Sequence, residues 1–134
     1  MCERLVFKLI GEAGYIDGSS FTDEDLSNIP DDTRFLSLEN AQVTDEGIKN
    51  IANLKDLVCL DLDFTKVSDE SMKIIGGISS LVELWIEDTV ITDKGIEYLH
   101  NLSGLKFISI LDTSITDEAV SKLVKKIPDV EVHL

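Results

Sequence analysis

The sequence predicts a single-wound α/β solenoid, in which a short strand and a helix recur along one axis. Two observations predict it. A tripeptide of a hydrophobic residue, a hydroxyl residue and an aspartate occurs five times, and a period of about 24 residues is typical of solenoids. The hydrophobic spacing changes from a period of two before each tripeptide to a helical period after it. The hydroxyl residues are Thr22, Thr44, Ser68, Thr92 and Thr116, with a slightly shorter first step.

The segment before each tripeptide reads as a short strand. Leu60 and Leu62 alternate with polar residues, and the equivalent pairs are Leu84 with Ile86 and Ile108 with Ile110. Alternation indicates a strand with one buried face. A doubly wound sheet is the alternative, but its crossover units need about 30 residues or more, which is longer than this repeat.

The tripeptide marks the change from strand to helix. After it, residues such as Met72, Ile75 and Ile78 recur at helical spacing. Its hydroxyl is expected to cap the helix N-terminus, and its aspartate to lie in the first turn, where the helix dipole favours negative charge. We interpret these pairs as structural caps and not as catalytic dyads.

Two further residue types recur in register with the tripeptide. Thr65, Thr89 and Thr113 follow the strands, and we expect them to bond to backbone in the turn. Small residues stand two positions after the aspartate, which indicates close packing at the helix start. These small residues are Gly47, Ser71, Gly95 and Ala119.

The segment Leu57-x-x-Leu60-x-Leu62-x-x-Thr65-x-Val67-Ser68-Asp69 resembles a leucine-rich repeat. The Thr-Asp-x-Gly motif is similar to the ribonuclease-inhibitor-like and cysteine-containing repeats, in a short bacterial-style form with a period of about 24 residues. The resemblance covers about residues 15–134. It implies a right-handed α/β horseshoe arc with a parallel concave sheet and convex helices. It also implies protein binding, with no shared catalytic site.

We expect one leucine-rich-repeat domain over residues 1–134. Residues 1–14 are predicted to form an N-terminal cap segment, with Leu5, Phe7 and Leu9 in a cap strand. Residues 15–134 would then hold about five repeats and a final strand at Val130–Leu134. That strand is predicted to leave an open edge. An alternative function follows from it: a structural or assembly subunit, or a homodimer, joined through the uncapped C-terminal strand.

Composition narrows the class of partner. The chain carries 26 acidic and 12 basic residues, for a net charge of −14. Such a chain repels nucleic-acid backbones and anionic membranes, so we expect neither as a partner. No apolar run reaches the length of a membrane span. Cys2 and Cys59 suggest no disulfide framework, which favours a reducing, cytoplasmic location.

The repeat register assigns residues to the sheet face that points away from the helices, which we call the outer face and expect to be concave. Seven of its sixteen positions in four repeats, including the turn after each strand, are acidic, and none is Lys or Arg. Those positions are Phe35, Ser37, Glu39, Asn40, Cys59, Asp61, Asp63, Phe64, Glu83, Trp85, Glu87, Asp88, Phe107, Ser109, Leu111 and Asp112. His133 continues the series.

The outer face mixes aromatic residues with carboxylates. Exposed aromatic clusters often mark interfaces, and Trp is enriched in binding hot spots. We therefore predict that the outer face binds a basic protein partner, with Trp85 as a cation–π platform. The alternative is that one or two of these aromatics are packed by neighbouring residues. The predicted partner-binding residues are Phe35, Asp61, Asp63, Phe64, Glu83, Trp85, Glu87 and Phe107.

No motif predicts catalysis, a cofactor or a metal site. Gly76-Gly77-Ile78-Ser79-Ser80 lacks the lysine of a phosphate-binding loop, and the two histidines have no zinc-spaced partners. Neighbouring carboxylates such as Asp63 and Glu87 could share a calcium ion. Hard-cation sites usually need six or more oxygens, however, so none is predicted. A non-enzymatic binding module is the function that the sequence favours.

Overall fold

The structure, a computed structural model, describes residues 10–134; the predicted cap strand at Leu5–Leu9 lies outside these residues. Six three-residue strands form one parallel sheet in sequential order. The predicted α/β solenoid with a parallel sheet is confirmed. The strands are β1 Tyr15–Asp17, β2 Phe35–Ser37, β3 Cys59–Asp61, β4 Glu83–Trp85, β5 Phe107–Ser109 and β6 Glu131–His133.

Strand pairing follows the register of the sequence repeat. Cys59 pairs with Glu83, and Glu83 with Phe107, each one full repeat further along the chain. Tyr15 pairs with Phe35, which is a shorter step than those between the later strands. Equivalent side chains therefore stack in rows across the strands, about 4.8 Å apart.

A helix follows each inner strand and begins immediately after the hydroxyl residue of the tripeptide. In the first repeat, the helix after β1 is a 3-10 helix over Asp23–Asn28. In the second repeat, a 3-10 helix over Lys49–Ile51 directly follows the α-helix. No helix among residues 10–134 is both long and apolar enough to cross a membrane. The α-helices are α1 Asp45–Ile48, α2 Asp69–Ile75, α3 Asp93–Glu97 and α4 Asp117–Lys126.

The main core lies between the sheet and the helices. The central residue of each inner strand points into it, and Leu36, Leu60, Leu84 and Ile108 are fully buried. Because side chains alternate along a strand, the residues on either side of them project to the outer face. A second, smaller cluster lies there, built on Phe35 and Cys59. The two clusters confirm the assignment of strand residues to two faces.

Three of the five tripeptide hydroxyls, those of Thr44, Ser68 and Thr116, cap their helices as predicted. The side-chain oxygen of Thr44 accepts a hydrogen bond from the Glu46 backbone nitrogen at 3.3 Å. Ser68 and Thr116 do the same for their helices, at 3.4 and 3.3 Å. Thr92 stands at the equivalent position without a side-chain cap bond.

The tripeptide aspartates have a role that the sequence did not reveal. Asp69 accepts hydrogen bonds from the backbone nitrogen and the hydroxyl of Thr92, in the next repeat, at 2.8 and 2.6 Å. Asp93 binds Thr116 in the same way, at 2.7 Å for both bonds. Each carboxylate therefore fixes the residue that starts the following helix. The remaining pairs are Asp23 with Thr44 and Asp45 with Ser68.

The same carboxylates explain the small residue at each helix start. A Cβ atom on Gly47 would overlap the Asp23 carboxylate, and one on Gly95 would overlap that of Asp69. Ser71 instead donates its hydroxyl to Asp45. The predicted close packing is thus against the aspartate of the preceding repeat.

The threonines after the strands act as predicted. The hydroxyls of Thr65, Thr89 and Thr113 donate to the backbone oxygens of Leu62, Ile86 and Ile110 at 2.7, 2.8 and 2.7 Å. These bonds fix the turns after the strands, which contain the outer-face residues Phe64, Asp88 and Asp112.

Candidate functional site

The turn after each inner strand contains one residue with positive φ. Asn40, Phe64, Asp88 and Asp112 have φ values of 63°, 59°, 50° and 57°. Asn and Asp tolerate this left-handed conformation because their short side chains bond locally, whereas bulky residues are rarely found in it. Phe64 is thus the one member of this row whose side chain does not suit its backbone.

Phe64 is also accessible. Its side chain is 47% exposed, while Phe35 is 1% and Phe107 is 3% exposed. Phe64 belongs to neither hydrophobic cluster of the described residues, so core packing does not account for its unfavourable backbone conformation. Strain of this kind clusters at binding sites and other functional positions.

Trp85 lies on β4 and is half-buried. Its indole nitrogen donates to the Glu83 carboxylate at 2.8 Å, and the Cys59 thiol donates to the same oxygen at 3.4 Å. Burial, followed by the Glu83 charge, raises the pKa of Cys59 above its usual value, so its sulfur stays a thiol. Glu83 is 2% exposed and serves to orient the indole.

The expected exposure of Phe35 and Phe107 is wrong, because both rings pack against neighbouring rows. Phe35 meets Tyr15 edge to face, with centroids 4.9 Å apart. The ring centroid of Phe107 lies 4.9 Å from that of Trp85 and 6.3 Å from that of His133. Stacking across adjacent strands brings these rings together and removes them from solvent.

Acidic side chains gather beside these rings. Glu39, Asp61 and Asp63 each place one carboxylate oxygen within 4.8 Å of the others. Asp61 and Asp63 are each 5% exposed. Asp61 accepts from the Asp63 backbone nitrogen at 2.9 Å, and Asp63 from that of Glu87 at 2.7 Å. Three carboxylates provide fewer ligands than the six to eight oxygens that calcium prefers.

Burial changes the protonation of this cluster. It raises the pKa of Asp61 to about 6, and the charges of Glu39 and Glu87 add to the effect. Burial and the Asp61 charge raise the pKa of Asp63 to about 8. Near neutral pH the pair therefore retains a proton, held mainly by Asp63, and the two residues together offer less negative charge to a partner than the sequence suggests.

A glutamate just after β4, a serine on β5 and a histidine on β6 lie next to one another. The Ser109 hydroxyl donates to Glu87, and the Nδ1 atom of His133 lies 3.3 Å from the same hydroxyl. In a hydrolytic triad the acid contacts the histidine, and the histidine takes the serine proton. Here the acid contacts the serine directly, and Ser109 is fully buried. The three groups form a hydrogen-bonded row and not a nucleophile with its base.

The sequence did not identify the residues that β1 contributes to the outer face. Tyr15 and Asp17 of β1 pair with Phe35 and Ser37, so they extend the predicted rows by one repeat. With Glu39 and Asp61 they line one open cleft. Extending the rows backwards would have found them, but the shorter first step breaks the period.

Comparison with known proteins supports the fold. No protein-family model and no curated protein matches the sequence. Among solved structures, a leucine-rich-repeat protein of Leptospira interrogans aligns at 22% identity with a TM-score of 0.61, over 82% of this chain and 27% of that one. An internalin (inlF) of Listeria monocytogenes aligns at 16% identity with a TM-score of 0.52, over 75% and 34%.

A second Listeria monocytogenes protein, internalin C2, aligns at 16% identity with a TM-score of 0.54, over 88% of this chain and 68% of that one. The chain therefore spans about a third or less of the first two relatives and two thirds of the last. Together with the single parallel sheet and its helices, these likenesses define the fold as a leucine-rich-repeat α/β solenoid.

Proposed function

We propose that this chain is a non-enzymatic protein-binding module whose outer face engages a basic protein partner. The observation that carries the proposal is Phe64, which is exposed at a left-handed position where the other repeats have Asn or Asp. A residue that costs stability and contacts solvent is best explained by a contact made outside the chain.

The surroundings of Phe64 support a basic partner. Trp85, half-buried, presents part of an indole that Glu83 holds in place. Glu87 is partly exposed, and its backbone oxygen accepts a hydrogen bond from Phe64. Glu39, which is exposed, precedes the equivalent turn of the preceding repeat. Phe64 and Trp85 would provide the apolar anchor, and these acids would accept hydrogen bonds from Arg or Lys.

Affinity capture from the organism that encodes the chain tests this proposal. Three baits are compared: the wild type, a Phe64→Asn/Trp85→Ala variant and a Val90→Ala control. The control shortens an exposed side chain that lies outside the outer-face rows. We expect partners on the wild type and the control and none on the double variant. Partners held equally by all three baits would contradict binding at this face.

Once a partner is identified, calorimetry gives the energetic test. Trp85→Ala alone should weaken binding by roughly 2 kcal/mol or more if Trp85 is a hot spot. Binding should also weaken as salt rises, because ions screen exposed charges.

The second candidate is assembly through β6. Among residues 10–134 this strand pairs only with β5, and the neighbouring Leu134 is 64% exposed. An unpaired strand edge is a template for another chain. Light scattering that gives a monomer at all concentrations would exclude self-assembly, and a dimer that Leu134→Glu dissociates would support it.

A further inference from the structure

The N-terminal half of the outer face contains an open cleft of about 340 Å³ between the first strands of the sheet. Two rings, Tyr15 and Phe35, meet edge to face at its wall. Three carboxylates, those of Asp17, Glu39 and Asp61, face the same space. The cleft therefore combines aromatic surface with negative charge and has room for one long side chain.

The deepest of these carboxylates is nearly buried and has no cation beside it in the described part of the cleft. Asp61 is almost wholly buried, since 5% of its surface is exposed. One of its oxygens accepts from the Asp63 backbone nitrogen at 2.9 Å. The Asp63 carboxyl group also hydrogen-bonds to Asp61, and no Lys, Arg or His among residues 10–134 lines the cleft. A buried carboxylate in this state lacks a compensating cation.

Four lysines of the described residues form ion pairs away from the cleft. The ion pairs are Lys49 with Glu46, Lys73 with Glu70, Lys106 with Asp129 and Lys122 with Glu118. Meanwhile, burial and the charges of Asp17 and Asp61 raise the pKa of Tyr15, which places its ring in their combined negative field. The charge of the cleft is thus not balanced by these lysines.

We propose that this cleft binds the guanidinium group of an arginine side chain presented by the protein partner. The inference rests on the proposed function and gives that partner's anchoring group. Guanidinium is planar, stacks on aromatic rings and donates in a fork that matches carboxylates. A calcium ion would gain nothing from the two rings, and three carboxylates leave its coordination incomplete.

The test is an NMR titration of the whole chain with the peptide N-acetyl-Gly-Arg-Gly-amide. We expect saturable shift changes confined to β1, β2 and β3. The citrulline peptide, which keeps the shape and loses the charge, should bind at least about tenfold more weakly. Equal binding of the citrulline peptide, or shifts spread over all acidic surfaces, would overturn the proposal. So would calcium chloride alone that shifts the cleft signals and blocks the arginine peptide.

Matched variants locate the site. Asp17→Asn/Glu39→Gln removes two exposed charges from the cleft, and Asp31→Asn/Asp56→Asn removes two exposed charges from another surface. The cleft variant should lose about tenfold in affinity or more, and the control should stay within about twofold. The same spectra report whether each variant is folded. Equal losses in both variants would leave only general charge attraction and reject the cleft.

The two proposals can fail separately. If captured protein partners still bind Asp17→Asn/Glu39→Gln as tightly as the wild type, the cleft proposal is wrong and the binding function stands. If the arginine peptide occupies the cleft but no protein partner depends on Phe64 or Trp85, partner binding through these two residues is wrong and the cleft remains a guanidinium site.

Discussion

The Asp45 carboxylate accepts a hydrogen bond from the Ser68 backbone nitrogen at 2.8 Å and another from the Ser68 hydroxyl at 2.6 Å. Ser71 donates to it as well. Three donors from the next repeat thus converge on one carboxylate. Partial burial opposes ionisation of Asp45, but the bonds from Ser68 and Ser71 outweigh it and lower its pKa.

Asp45→Ala should destabilise the fold by roughly 2–3 kcal/mol, because it removes charge-assisted bonds that are partly exposed to solvent. Asp117→Ala is the matched control. Asp117 also lies in a first helical turn, but no group among residues 10–134 donates to its carboxylate. Urea unfolding of both variants measures the difference. Equal losses would mean that only the helix dipole matters.

The lowered pKa of Asp45 also sets a pH dependence. Because the folded form binds the proton less tightly, the contribution of Asp45 is present above its unfolded pKa of about 3.9 and is lost as pH falls below that value. The destabilisation caused by Asp45→Ala should therefore shrink in acid.

Gly47→Ala should destabilise the protein by roughly 1–2 kcal/mol, although Gly→Ala usually favours a helix. The new methyl group would overlap Asp23 and disturb its bonds to Thr44. Gly104→Ala is the control, since the nearest atom to its new Cβ lies 3.8 Å away. Thermal unfolding should separate the two. A Gly47→Ala variant as stable as Gly104→Ala would contradict this explanation of the small residue.

Phe64→Asn should stabilise the chain by about 1 kcal/mol, because Asn tolerates the left-handed conformation better than Phe. Asn40 occupies the equivalent turn of the preceding repeat. The same change should weaken partner binding. Urea denaturation and calorimetry on one preparation check both. Lower stability would show that the ring contributes to folding, which would remove the argument for an external contact.

Asp63→Asn should stabilise the protein in mildly alkaline solution and change little in acid. Burial raises the pKa of Asp63 to about 8, so the folded chain holds a proton that the unfolded chain has released. Stability therefore falls as pH rises from about 4 to about 8, by the linkage of proton binding to folding. Denaturation at several pH values should show that the variant loses this decline. Asp56→Asn, on an exposed loop, should retain it.

The sequence was sufficient for the fold because the repeat period determines strand register. Leu60, Leu84 and Ile108 stack in the core as their spacing requires. Spacing also assigned Asp61 and Phe107 to the outer face. It could not predict how deeply they are buried, because depth depends on the size of the side chains in neighbouring rows.

Three features could be seen only in the structure. The bond between Asp69 and Thr92 joins two successive repeats, and only the winding of the solenoid shows that one turn lies beside the next helix start. The spacing between the first two repeats is shorter than the others, so the repeat period did not assign Tyr15 and Asp17 to the outer face. The strain at Phe64 depends on a backbone angle that its equivalents, Asn40 and Asp88, only suggest.

The chain of aspartate-to-hydroxyl bonds has a direction. Each helix start is completed by the carboxylate of the preceding repeat, so a repeat contributes to its successor and not to its predecessor. Loss of the last repeat leaves the earlier helix starts intact, whereas loss of the first releases Thr44 from Asp23. In a solenoid whose stability is a sum of neighbour terms, fraying should therefore cost less from the C-terminal end than from the N-terminal end.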